Sequence, residues 1–179
     1  TGNFNKYHLR IEFFSLIKKD DLDLVNQMGS SWGALLVESN GTQWAGGLSR
    51  PVGLTRTDTK TGKSITFKHN PSDPTSLSDD KVYSVYRDLK NNLWVGTING
   101  LDKLDERTGK FIHFRHDPNN SNSLPDNWVW PIYEDSRGDL WIGTVRGGVS
   151  KFDPTSNTFV NFKNDPGDPT SINDNFIFS

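Results

Sequence analysis

The segment NLWVGTINGL at 92–101 returns as DLWIGTVRGGV at 139–149, and in looser form as TQWAGGLSRPVGL at 42–54. The tryptophans Trp44, Trp94 and Trp141 are 50 and 47 residues apart, and other positions keep step with them. Asp58, Asp105 and Asp153 are 47 and 48 apart, as are Phe67, Phe114 and Phe162. A third register joins HNPSDPTSLSDD (69–80), HDPNNSNSLPDN (116–127) and NDPGDPTSINDN (164–175). Three sets of anchors sharing one period define a repeat, and periods of roughly 20 to 50 residues belong to solenoids, propellers and arrays.

The residues within one period choose among these. After each Asn/Asp-Pro segment comes a run rich in β-branched and aromatic residues, VYSVYRD (82–88) or VWPIYED (129–135). The turns LKNN and SRGD follow, then LWVGT or LWIGT, a glycine turn, a run ending in the repeated Asp, the turns ERTGK or PTSNT, and FIHFRH or FVNFK. No stretch accommodates a long amphipathic helix. Four short antiparallel strands per repeat, A to D, describe a β-propeller blade. The expected fold is all-β, with four-stranded meanders forming about 3.5 blades.

Strand B carries the Trp, expected to fill the space between blades. The Gly and Thr after it (Gly96 and Thr97, Gly143 and Thr144) permit close backbone approach, and Gly100 and Gly147 are expected to supply turn angles that other residues resist. The opening TGNFNKYH matches TGKFIHFRH at 108–116, so residues 1–8 read as a strand D. Residues 9–31 read as an expanded crossing, then blades at 32–69, 82–116 and 128–163, with 175–179 starting another strand A. All 179 residues are thus expected to form part of one propeller, an internal segment of a larger one, with open blade edges through which it self-associates.

Composition narrows the function. The chain contains no Cys, which excludes disulfides, Cys-ligated zinc and thiol catalysis. Its 20 basic and 22 acidic residues leave a net charge of −2 without a basic stripe, so no nucleic-acid partner is expected. No run approaches the roughly 18 to 20 apolar residues of a membrane helix, and the opening at Thr1 has no signal-peptide pattern. No nucleophile-elbow serine or metal-ligand helix is present. Asp58, Asp105 and Asp153 read as turn formers more simply than as a glycosidase pair. No catalytic residue, cofactor or metal is assigned, and the Asp/Asn-rich crossings read as Asx-Pro turns more simply than as calcium loops.

The composite SLPDNWVWPIYEDSRGDLWIGTVRGGVSKFD (123–153) resembles the repeats called two-component regulator propellers. In that family Ser-Leu and an apolar strand lead into Asp-x-x-Gly-x-Leu-Trp-Ile-Gly-Thr, a Gly turn and a strand ending in Asp. Residues 76–105 are similar, with Asn91 and Asn92 in the Gly region, and DPGDPTS at 165–171 also looks like the family. The first blade departs, with WAGGL at its core and no Ser-Leu loop. The resemblance implies the periplasmic or extracellular sensor part of a membrane-bound bacterial receptor, such as a hybrid histidine kinase, responding to glycans or their breakdown products. It implies further blades and downstream signalling domains as partners.

Repetition also separates scaffold from site, since a residue that breaks the repeat on a functional face is the better candidate. In a four-stranded meander the B–C turns and D-to-A crossings share one rim, where long loops on a rigid scaffold carry binding. The rim departures are the 9–31 crossing, with its apolar run at Ile11, Phe13, Phe14, Leu16 and Ile17 and a short helix expected near 19–28, and the turn residues Arg50, Asn99 and Arg146. Trp128 and Trp130 stand where the preceding blade has Lys81 and Tyr83. Trp130 reads first as core. Trp128, at the strand start, reads equally as core or as an exposed plate for a sugar face, with arginines and amides for hydroxyls or a carboxylate. These five residues are the tentative ligand site, for an oligosaccharide or other small ligand. The rival expectation is a protein-interaction scaffold with no small ligand.

Overall fold

Short β-prone runs separated by Asx-Pro, Asn-Asn and Gly turns can satisfy their backbone groups only by pairing with sequence neighbours. The computed structural model describes residues 33–47 and 52–178 and shows that pairing three times. The expected strand at 1–8, the 9–31 crossing with its helix, and Arg50 lie outside the described residues. The first sheet contains β1 (Leu35–Val37), β2 (Thr42–Gly46), β3 (Leu54–Asp58) and β4 (Ser64–Phe67). β5 (Val82–Arg87), β6 (Leu93–Thr97), β7 (Gly100–Asp105) and β8 (Lys110–Phe114) form the second. β9 (Val129–Glu134), β10 (Leu140–Thr144), β11 (Gly148–Asp153) and β12 (Thr158–Phe162) form the third. Each is antiparallel with strands in sequence order, the blade meander read from the repeat.

Register repeats from blade to blade. Trp44 stands between Leu36 and Arg56, Trp94 between Tyr86 and Lys103, and Trp141 between Tyr133 and Lys151. The cationic partner lies over each indole, 5.7, 5.4 and 6.0 Å from the ring centre. Trp44 packs among Leu77, Val82 and Leu93 of the second blade, and Trp94 among Leu124, Val129 and Leu140 of the third. Both are fully buried, so the indole is the wedge between adjacent blades. The repeated aspartates close the C–D turns. Asp58 accepts the Lys60 N–H (2.9 Å), Asp105 the Arg107 N–H (3.0 Å) and Asp153 the Thr155 N–H (2.9 Å).

The glycine after the Trp fixes how near the next blade comes. A Cβ on Gly46 would stand 2.4 Å from Val82 Cβ, one on Gly96 2.9 Å from Val129 Cγ1, and one on Gly143 2.6 Å from Ile177 Cγ2. No Cβ tolerates such distances. At the B–C turns one expectation needs correcting. Gly100 does adopt a positive φ (124°), but in the third blade Gly148 does so (82°) and Gly147 does not. Gly147 is small instead because Pro125 packs against it. Residues 175–178 form no assigned strand, yet Ile177 donates to the Thr144 carbonyl (3.2 Å) and Gly148 to that of Asn175 (2.9 Å). The second bond matches Gly53 to Asp80 and Gly100 to Asn127 in the earlier blades.

Substituting Gly96 by Ala is expected to cost about 1–3 kcal/mol through overpacking against Val129. Gly167→Ala, on an exposed crossing, should stay within about 0.5 kcal/mol. Urea unfolding of the two variants checks the difference.

Candidate ligand-binding rim

The D-to-A crossings are built by one hydrogen-bond scheme. The backbone N–H groups of His69, His116 and Asn164 donate to the side chains of Asp80, Asn127 and Asn175 at 2.7, 2.7 and 2.8 Å. Those of Asn70, Asp117 and Asp165 donate to the hydroxyls of Ser76, Ser123 and Ser171 at 2.9, 2.8 and 2.9 Å. His69 Nδ1 and His116 Nδ1 meet the carbonyls of Leu77 and Leu124 (2.8 and 2.7 Å), where Asn164 Nδ2 donates to that of Ile172 (2.7 Å). Asp73 and Asp168 accept from Thr75 and Thr170 and stay below the usual carboxylate range because of those bonds. The carboxylates thus serve their own turns. Among the described residues no three His, Asp or Glu side chains are placed to hold a metal ion.

On this frame the rim between the second and third blades gathers three of the five expected residues. The Gly100 N–H, next to Asn99, bonds to the Asn127 carbonyl (2.8 Å), and Val145 N–H bonds to the Trp128 carbonyl (3.0 Å). Arg146 N–H donates to Asp126 (3.1 Å). Asn99, Trp128 and Arg146 therefore sit on turns tied directly to one another. Their side chains differ in availability. Asn99 Nδ2 donates to the Ser78 carbonyl (3.1 Å) and holds the crossing. The Arg146 guanidinium is exposed and makes no hydrogen bond or ion pair among the described residues.

Trp128 and Trp130 belong to an aromatic row along the inner strands. Tyr83 meets Trp128 and Trp130 edge to face, with ring centres 5.5 and 5.6 Å apart. Trp130 meets Phe178 at 4.9 Å, and Phe178 meets Phe176 at 4.0 Å. Trp130 was expected as core. It is half-buried, as are Tyr83 and Trp128. The cause is a β-bulge. Register against strand B slips by one residue between Val82 and Ser84, and again opposite Ile142 and Thr144, leaving Tyr83 and Trp130 as the extra residues on β5 and β9. A bulge re-aims its side chain, and Pro131 after Trp130 cannot supply a ladder N–H. Burial pushes the Tyr83 phenol above its ordinary pKa. The Trp128 indole N–H is buried against Tyr83 without reaching full hydrogen-bond geometry there.

Sequence reasoning missed Tyr83 and Phe178 as rim residues. Their aromatic character recurs at Tyr83, Trp130 and Phe178, 47 and 48 residues apart, and a recurring residue type reads as scaffold. On the opposite face a concavity of about 230 Å³ is lined by residues including Lys90, Trp94, Lys103, Glu134 and Arg137.

With this geometry established, the two-component regulator propeller family model matches residues 76–99 and 123–146. Each match runs from the Ser-Leu of a crossing, through the inner strand and strand B, to the B–C turn residue Asn99 or Arg146. The two matched segments are similar to two-component regulator propeller repeats. The blades resemble the extracellular domain of a hybrid two-component system protein of B. thetaiotaomicron, BT3049. Identity is 18% over 83% of this chain and 20% of that one, with a TM-score of 0.69. A second such domain from B. thetaiotaomicron, BT4673, is 25% identical over 83% of this chain and 21% of that one, with a TM-score of 0.65. The propeller repeats described here therefore span about a fifth of the length of those chains. Virginiamycin B lyase from Staphylococcus aureus shares the fold at 15% identity, covering 74% of this chain and 41% of its own, with a TM-score of 0.55. No curated protein matches the sequence.

The bonding of the two turn residues predicts different responses. Asn99→Ala should lower stability by about 1 kcal/mol, the net value of a hydrogen bond. Arg146→Ala should stay within about 0.5 kcal/mol. Thermal unfolding of the two variants reads the contrast.

Proposed function

We propose that these blades are the ligand-binding segment of an extracytoplasmic sensor propeller in a membrane-bound bacterial signalling receptor, and that the rim between the second and third blades takes an oligosaccharide or a similar small ligand. One observation carries the ligand reading: the half-buried aromatic row Tyr83, Trp128, Trp130 beside the exposed Arg146. Ring faces of this kind accept the apolar side of a sugar, and the exposed Arg146 guanidinium supplies donors for hydroxyls or a carboxylate. The repeats and the likeness to receptor extracellular domains support the sensor setting. Sensing works by population shift, because a ligand biases a receptor only through different affinities for its two states. Catalysis has no place in this reading.

Remaining blades and downstream signalling domains of a parent receptor are its proposed partners. The third blade supports the first of these, for Trp141 is less buried than Trp94 and Tyr133 on the same face is 62% exposed. A further blade covers that face as the third covers Trp94. The rival reading, a protein-docking scaffold without a small ligand, draws on the row Ile65, Ile112 and Val160, exposed by 60%, 57% and 55% on the outer strands.

A ligand that binds only the folded state raises the melting temperature according to its concentration over Kd. A panel of glycan fragments should give a dose-dependent rise for one sugar class. Trp128→Ala should weaken binding about tenfold or more, as loss of an aromatic anchor does. Binding unchanged by Trp128→Ala moves the ligand elsewhere. A flat panel, with a protein partner lost on Ile112→Asp, establishes the scaffold.

A further inference from the structure

Where strands C and D pair, one register of the second blade carries a charged pair that its counterparts in the other two blades lack. At that register stand Thr55 with Thr66 in the first blade and Ser150 with Asn161 in the third. Both pairs are neutral and hydrogen-bonded to each other, at 3.0 and 2.7 Å. In the second blade the same register holds Asp102 and His113. Asp102 is fully buried. One of its oxygens accepts the Ser78 N–H (2.8 Å) and the other meets His113 Nδ1 (2.7 Å). His113 Nε2 lies 2.9 Å from the Pro74 carbonyl.

Each ring nitrogen of His113 thus faces an oxygen that can only accept: an ionised carboxylate and a peptide carbonyl. A neutral imidazole has one N–H and would leave a lone pair against one of them. Only the imidazolium donates to both. His69 and His116 differ, since each Nδ1 meets one carbonyl and either ring is content when neutral. The charged groups acting on His113 are Asp102 from β7, which raises its pKa through the hydrogen bond, and Arg115 just after β8, which opposes it; burial also opposes it. The crossing at 70–80 presents the Pro74 carbonyl, and its Asp73 carboxylate is turned to Thr75.

We infer that His113 is held doubly protonated and acts as a pH-sensitive latch, clamping the 70–80 crossing to the second blade while it carries its proton. The clamped segment is not peripheral. Ser78 bonds to Asp102 through its N–H, to Asn99 through its carbonyl, and to Thr97 through its hydroxyl (2.8 Å). Losing the proton removes the bond to Pro74 and the charge opposite Asp102, and so loosens the crossing that positions the Asn99 turn. The latch stands whether or not the rim takes a sugar.

The sign follows from the raised pKa. The stabilisation is fully present below the unfolded histidine value of about 6.5 and is lost as pH rises through the higher folded value. The test is ¹⁵N NMR of the histidine-labelled chain from pH 5 to 9, with amide exchange in parallel. We expect protons on both His113 ring nitrogens at pH 6 and a midpoint above the unfolded histidine value of about 6.5. Protection of the Phe111 amide, bonded to the Thr75 carbonyl at 2.8 Å, should fall through that midpoint. Asp102→Ser with His113→Asn installs the third blade's own pair. It should abolish the pH step and narrow its melting-temperature deficit against wild type as pH rises. Where the double variant does not fold, His113→Asn alone serves. A neutral His113 at pH 6, or Phe111 protection that is flat across the His113 titration, overturns the latch.

Discussion

The spacing between blades rests on one contact, a glycine of strand B against a β-branched residue of the segment that follows the next crossing. Gly46 meets Val82, Gly96 meets Val129 and Gly143 meets Ile177, each where no Cβ fits. Trp and Gly are two residues apart on one strand, so both face the neighbouring blade. The glycine draws the next sheet in, and the indole fills the wedge that opens beside it. The cation over each indole follows from the same register, as its ammonium or guanidinium stays near water while its methylenes cover the ring. A motif that reads as Trp-x-Gly is therefore a packing instruction with a near side and a far side.

The apolar instruction is constant, while the polar groups around it vary. At the first junction Arg87 bridges Glu38 (2.6 Å) and Glu106. At the second the equivalent residue is Glu134, which accepts the Leu89 N–H at 2.7 Å. Trp94 donates to Asp88 (2.8 Å) and Trp141 to Asp135 (3.2 Å). The matching carboxylate in the first blade is Glu38, held by Arg87, and the Trp44 N–H has no acceptor among the described residues. Packing at native density tolerates little change. Surface-linked polar positions can be exchanged as long as each buried group finds a partner, and it is in these positions that one blade acquires a property the others lack.

This division explains what could be read from the chain. Blades, strands and Asp-closed turns repeat, and repetition exposes them without homologues; the strands of the second and third blades lie within a residue or so of their expected places, whereas the strand expected at 175–179 is not assigned. Asn99, Trp128 and Arg146 were legible because turns and crossings must share a rim in a meander. The bulges were not. A bulge inserts one residue into a run already rich in aromatics, and neither period nor composition changes, so Trp130 looked buried and Tyr83 looked structural. Asp102 and His113 escaped for another reason. Each is unremarkable alone, and their pairing emerges only when strands C and D are set in register and compared with Thr55–Thr66 and Ser150–Asn161. Arg50 lies outside the described residues, so its place on the rim rests on the repeat alone.

The rim and the latch share a segment, which constrains both. Ser78 is held by Asp102 on one side and by Asn99 on the other, so a conformation of the 70–80 crossing that suits one anchor restricts the other. Coupling between two binding events is reciprocal. If protonation of His113 orders this crossing, then any rim ligand favouring the ordered crossing must raise the proton affinity of His113, and by the same factor. A ligand seated only on Trp128, Trp130 and Arg146 touches the third blade alone and leaves His113 indifferent. The proton therefore reports which side of the rim a ligand uses, through a pair that the neighbouring blades replaced with hydroxyls and amides.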